Sequence, residues 1–188
     1  MNLTLYPQVK RFVTDSFTIV GKTSQLIHFE RAVHWIKELK NDADVALLIA
    51  AVSHDIERAF RKEDMTQKRK IYGYTGKGFI RPHEERGAEI IGTFLQKEGA
   101  DSSLVNRVKM LVSRHEEGGN DDQNLLKDAD SISFFENSIP IFLAQHVNES
   151  GKDLVKKKFS WMYDRISSEK AKQIVRGWYE NAIIRLGK

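Results

Sequence analysis

The segment Val45-Ala46-Leu47-Leu48-Ile49-Ala50-Ala51-Val52 is apolar on every face and runs straight into Ser53-His54-Asp55-Ile56. A stretch with no polar face must be enclosed by other elements. Its alanines, and its length when continued through His54-Asp55-Ile56, favour a helix over a buried strand. The chain is therefore expected to pack other elements around a buried central helix that delivers a histidine and an aspartate to the interior. Only three prolines occur, Pro7, Pro82 and Pro140, so long stretches are free of helix breakers. The expected fold class is an all-α bundle. A length of 188 residues suits a single domain over 1–188 with a sizeable core.

Hydrophobic periodicity and turn residues divide the rest of the chain into further helices. The first is expected from about Tyr6 to Ile19. Gly21-Lys22-Thr23-Ser24 ends it and should cap the second, which runs from about Gln25 to Lys40. Asn41-Asp42 breaks the pattern, and the central helix starts near Ala43. The polar stretch from Arg61 to Pro82, with Gly73, Gly76 and Gly78, reads as a long loop that could hold a short helix, its glycines forming a flexible lid. Helices resume over about His83–Lys97, Ser102–Glu116 and Asn124–Asn148, with Pro140 a kink or split in the last. Two more, about Lys152–Ile166 and Ser168–Leu186, carry core residues such as Phe159, Trp161 and Trp178.

Six histidines separate by helical face. His28 shares a stripe with Ala32, Trp35 and Leu39, an inward face. His83 is followed on one face by Gly87, Ile90, Ile91 and Phe94, and His115 is preceded by Leu111, Val108 and Leu104. With His54, four histidines thus point inward from four helices, whereas His34 lies beside Glu30, Arg31 and Glu38 and is expected to be exposed. Asp130 lies mid-helix on the stripe Leu126, Asp130, Phe134. A buried carboxylate needs a positive partner. An arginine or a helix end to cap would serve, but the four inward histidines favour a metal ion.

The chain has no cysteine, so thiolate sites and disulfides are excluded. Imidazole and carboxylate ligands suit Fe, Mn, Co, Ni or Zn. Four imidazoles and two carboxylates exceed what one tetrahedral ion needs and fit two divalent ions bridged by Asp55. No apolar run is long enough to span a bilayer, and Met1–Pro7 lacks the layout of a signal peptide, so a cytoplasmic protein with no membrane partner is expected. A net charge of +4 is too small to argue for nucleic acid. The basic residues Arg58, Arg61, Lys62, Lys68, Arg69, Lys70, Lys77 and Arg81 crowd one segment between ligand candidates, either as a solvated surface or as a rim that attracts an anionic small molecule.

The order His28, His54-Asp55, Asp130 resembles the signature of the HD superfamily of metal-dependent phosphohydrolases. His28-Phe29-Glu30-Arg31-Ala32-Val33 is similar to the family's first helix, Leu47–Ile56 to its apolar run into the HD pair, and Lys127-Asp128-Ala129-Asp130 to its final aspartate motif. The resemblance covers about 25–135, leaving the helices of 150–188 to pack on that core. His83-Glu84-Glu85-Arg86-Gly87 and Arg114-His115-Glu116-Glu117-Gly118-Gly119 resemble two elements of dinuclear members, with Arg114 where the first of a frequent histidine pair stands. The resemblance implies one ion on His28, His54, Asp55 and Asp130 and a second on Asp55, His83 and His115. It also implies an HD-type helical bundle with the metal centre between its central helices.

The sequence departs from the family pattern at His54-Asp55-Ile56-Glu57-Arg58, where many dinuclear members read H-D-x-G-K. Arginine replaces lysine as the cation expected to contact an anionic group, with a planar fork instead of a point charge. The G-Y-P element of cyclic-di-GMP phosphodiesterases is absent. Gly21-Lys22-Thr23 mimics the end of a P-loop without its earlier glycine. The expected function is hydrolysis of a phosphate ester, in a nucleotide or small phosphorylated metabolite, by a metal-activated hydroxide. Asp55 and Arg58 would act in catalysis, and Arg31, Arg58, Lys77, Arg81 and Arg114 would bind substrate charge. Glu57, Glu84 or Glu116 would move protons or orient ligand histidines. Mixed-valent diiron oxygenases of the HD fold resemble the same ligand set, and a non-catalytic nucleotide-sensing module is a further alternative.

Overall fold

A computed structural model describes residues 5–63 and 65–187. Residues 1–4, which belong to the Met1–Pro7 stretch read above, lie outside the described residues. The described chain is all-α. Helix α1 (Leu5–Ile19) buries Leu5, Val9, Val13 and Phe17, spaced four apart along one face. Helix α2 (Leu26–Leu39) follows a 3-10 turn at Thr23–Gln25. That turn feeds directly into α2, so Gln25 enters it with helical dihedrals and no side chain caps it. The cap expected from Thr23 or Ser24 is not made.

Helix α3 (Val45–Ser53) is the buried centre, and the Asp44 side chain accepts from the Leu47 amide at 3.0 Å to cap it. Leu47, Ile49, Ala50 and Ala51 are fully buried, each large side chain contributing about 1.5–3 kcal/mol. The helix stops at Ser53 instead of continuing through Ile56. His54–Ile56 form a turn, closed by the Ile56 amide on the Ser53 carbonyl at 2.9 Å, before the short helix α4 (Glu57–Phe60).

The stretch expected as a loop is largely helical. Helix α5 (Met65–Tyr72) buries only Met65, which is why it carries no amphipathic signal. Helix α6 (Lys77–Lys97) begins before Pro82 and contains it one turn in. The glycines between them make a tight turn, not a lid. Gly73 takes a left-handed φ of +66° to end α5, and a Cβ on Gly76 would stand 2.4 Å from the Tyr72 carbonyl oxygen.

Helix α7 (Ser102–Val112) is capped by Asp101, and α8 (Asp121–Asn137) by a reciprocal capping box between Asn120 and Gln123. The helical run ends at Asn137, and Pro140 opens a new start, so Pro140 splits the element expected to reach Asn148. Helix α9 (Ile139–Ile141), a π-helical turn (Phe142–His146) and α10 (Val147–Ser150) follow. Helices α11 (Lys152–Asp164) and α12 (Glu169–Gly187) complete the described chain.

Two apolar clusters fill the interior. One gathers α1, α2, α3, α6 and α7 with the first half of α8. The other gathers the second half of α8 with α9, α11 and α12. Trp35 packs against both, and α8 lies along α2 between them. No helix of the described residues is long and apolar enough to cross a membrane.

Candidate metal centre

Helices α2, α3, α6, α7 and α8 bring six side chains to one point. His28 comes from the inward stripe of α2, His54 and Asp55 from the turn after α3, and His83 from α6. His115 comes from the turn after α7 and Asp130 from the middle of α8. All six are buried. His34 is half-buried instead of exposed, because its ring packs edge-on against Trp35 at 5.0 Å.

Five of them form two groups that share Asp55, and Asp130 lies against the first. In the first, His28 Nε2 lies 3.2 Å from His54 Nε2, and Asp130 Oδ1 lies 3.0 Å and 3.4 Å from the same two nitrogens. Asp55 Oδ2 is 3.8 Å from His54 Nε2. In the second, Asp55 Oδ1 lies 2.7 Å from His83 Nε2 and 3.7 Å from His115 Nε2. These three atoms are buried and make no hydrogen bond in the structure. Orphaned polar atoms facing one another are costly unless a ligand unites them.

The far side of each imidazole fixes what it presents to the centre. His54 Nδ1 faces the Ala51 carbonyl at 2.9 Å and His115 Nδ1 the Val112 carbonyl at 2.7 Å. A carbonyl only accepts, so each Nδ1 carries the proton. His83 Nδ1 donates in the same way to Glu57 Oε2 at 3.1 Å. Ser133 Oγ gives its one proton to the His28 carbonyl at 2.7 Å and must therefore accept from His28 Nδ1 at 2.8 Å. All four Nε2 lone pairs are thus turned toward the two carboxylates. This is the arrangement in which outer hydrogen bonds set the tautomer of metal-ligating histidines.

Burial would raise the carboxyl of Asp55, but Arg58 and the neighbouring histidines hold it well below the usual carboxylate range. Asp130 is held down against burial by Arg165, His28 and His54. Burial opposes charge on His54 and His83, and the facing carboxylates outweigh it and raise both. A divalent ion competes with those protons for the same lone pairs, so its binding would release them. The donor set and its orphaned atoms fit metal ions.

Beside the centre opens a cavity of ≈ 350 Å³ that reaches His83 and Glu116 at its inner end. The family model described as Domain of unknown function (DUF4202) matches residues 13–178. The chain belongs to this family. No curated protein matches it. A crystal structure titled as a predicted HD superfamily hydrolase, from an uncultured Thermotogales bacterium, is similar to this DUF4202 chain in fold. The TM-score is 0.58 and the identity 19%, over 99% of this chain and 90% of that one.

The cations expected to bind substrate are dispersed in this DUF4202 protein. Arg58 lines the cavity, with Nη2 2.8 Å from Asp55 Oδ2. Arg31 instead pairs with Glu136 at 2.8 Å and covers the Trp35 ring. Lys77 is exposed, Arg81 lies 3.8 Å from Glu117, and Arg114 pairs with Glu117 at 3.1 Å. None of these four lines the cavity. Among the acids, Glu57 holds His83, Arg61 and Arg86, and its carboxyl falls to about 2 because His83 and Arg61 outweigh burial. Glu84 accepts the Glu116 amide at 2.8 Å, and Glu116 pairs with Arg165.

Sequence reasoning missed Arg165, Lys158 and Lys22. Arg165, at the end of α11, donates to Asp130, Glu116 and Ser131 Oγ. Lys158 and Lys22 line the cavity. Lys22 sits in the glycine-lysine-threonine triplet that mimics a P-loop, and its Nζ donates to the Arg58 carbonyl at 2.7 Å. An inward register for Lys158 could have been read from its spacing with the buried Val155 and Met162. For Arg165 no sequence signal existed.

Proposed function

We propose that this chain is a metal-dependent phosphohydrolase that acts on a phosphate ester of a nucleotide or small phosphorylated metabolite. One observation carries the reading: four imidazole Nε2 lone pairs, each fixed by an acceptor behind it, converge on two buried carboxylates. The likeness in fold to a predicted HD superfamily hydrolase is compatible with the same class. We read the chain as one HD-type domain and assign it two divalent transition-metal ions.

His28, His54, Asp55 and Asp130 would hold one ion, and Asp55, His83 and His115 the other. Such ions lower the pKa of water and polarise a phosphoryl oxygen. The protein's own groups then position and exclude. Arg58 stands between Asp55 and the cavity and would hold a substrate oxyanion. Glu57 fixes the His83 ring and its tautomer. The aromatic side chains Tyr74, Phe79 and Phe142 give the cavity a wall that shields the reaction from water. A volume of ≈ 350 Å³ suits a small molecule.

The test is a paired assay on protein loaded with Mn, Co, Ni or Fe. A panel of phosphomonoesters and phosphodiesters should be hydrolysed with release of phosphate or alcohol. No turnover of any member, together with oxygen uptake and a mixed-valent iron signal in electron paramagnetic resonance, would replace the hydrolase by an HD-fold oxygenase.

A further inference from the structure

Lys158 lies on α11, outside the stretch that carries the ligand motifs. It is 8% exposed. Its Nζ stands 4.5 Å from the centroid of the Trp161 ring and 5.8 Å from that of Phe134. It makes no hydrogen bond or ion pair among the described residues. The other cations that line the same cavity are each committed. Arg58 pairs with Asp55, Arg61 with Glu57 and Arg69 with Glu149, while Lys22 donates to the Arg58 carbonyl. Glu116, the carboxylate that acts most strongly on Lys158, is engaged by Arg165.

A largely enclosed ammonium that makes no hydrogen bond or ion pair is costly, and two aromatic faces with the more distant Glu116, itself paired with Arg165, offset only part of that cost. The same burial lowers its pKa, followed by the opposing pulls of Glu116 and Arg165. A cation with no hydrogen bond or ion pair of its own, in a cavity that leads to His83 and Arg58, has the character of half a binding site. The missing half is an anion small enough to enter and hard enough to repay the desolvation.

We propose that Lys158 is an anion-binding residue of the cavity, and that its partner is the phosphate group of the substrate, held between Lys158 and Arg58. This deepens the hydrolase reading and rests on it only for the identity of the anion. Lys158 would be a binding residue whose charge is supplied by a helix beyond the motif region.

Inorganic phosphate is the probe, titrated by calorimetry into the metal-loaded protein at fixed pH. Lys158→Met keeps most of the aliphatic stem and removes the charge that stands over Trp161 and Phe134. Phosphate affinity should fall roughly tenfold to a hundredfold, as for loss of a charge-assisted hydrogen bond. Metal content should be unchanged, and the melting temperature without phosphate should not fall, because an unpaired buried charge has gone. Lys158→Arg should retain most of the affinity. Phosphate bound by Lys158→Met within twofold of the parent, or no phosphate bound by the parent, overturns the proposal. So does an equal loss in Lys158→Met and Lys158→Arg, which would assign the effect to packing. Loss of affinity in Lys158→Met alone, with no phosphoester turned over by the parent, keeps the anion site and removes the hydrolase.

Discussion

Arg165 closes on Asp130 Oδ2 while Asp130 Oδ1 lies 3.0 Å from His28 Nε2. One oxygen is tied to a guanidinium and the other is left for the histidines. The sequence offered an arginine partner and a metal role for this aspartate as alternatives, and the geometry accommodates both on separate oxygens. The same guanidinium donates to Glu116 and to Ser131 Oγ, and its face covers Trp161 at 4.6 Å.

Arg165→Leu should therefore strand two buried carboxylates, Asp130 and Glu116. Loss of one member of a buried charge network costs about 3–5 kcal/mol. Urea unfolding of the metal-free protein measures it. Arg165→Lys should recover little, because a point charge cannot reproduce the fork. A stability change below about 1 kcal/mol would show that the network contributes no more than a surface pair.

Asp55→Ala should abolish both ions, since Asp55 is common to the two ligand groups. Elemental analysis after metal-replete expression should find about two ions per chain in the parent and fewer than one in the variant. A variant that keeps its full complement would remove Asp55 from the bridging role.

Glu57→Gln acts on one group only. Glu57 orients His83 and touches neither His28 nor His54 in the structure. Loss of such an outer partner typically weakens metal affinity 10–100-fold. Competition with a chromophoric chelator should show one weakened equivalent and one unchanged. Equal weakening of both would mean that Glu57 supports the whole centre.

Glu136 provides a pH signature remote from the ligands. Burial raises its carboxyl, and Arg31 with the Trp35 indole outweighs that and lowers it. A carboxyl depressed by folding stabilises above its unfolded value of 4.5, and that contribution fades as pH falls below it. Glu136→Gln should lower the melting temperature at pH 7, and the gap to the parent should narrow by pH 3. A gap that is constant across this range would assign the effect to shape and not to charge.

The candidate centre was largely legible in the sequence, because helical periodicity reports which side chains share a face. The stripes through His28, His83, His115 and Asp130 all face inward as read, and the apolar segment through Val52 is the central helix. Helix α5 was legible only as a short helix without bounds, since with Met65 alone buried it has no apolar stripe to place it. Of the five cations expected to bind substrate, Arg58 is the one that lines the cavity. Arg31 and Lys158 are both basic residues on helices, and only packing sends one to Glu136 and the other to the cavity.

By itself, then, the sequence determined the all-α class, the buried central helix and the inward helical faces that carry His28, His83 and Asp130, because these follow from local periodicity. Only the tertiary structure decided that Arg165 holds Asp130. Only it decided that Lys158 faces the cavity without an ion pair. Those relationships join residues 35 or more positions apart, or depend on which of several neighbours claims a charge, and neither is encoded in spacing along a helix.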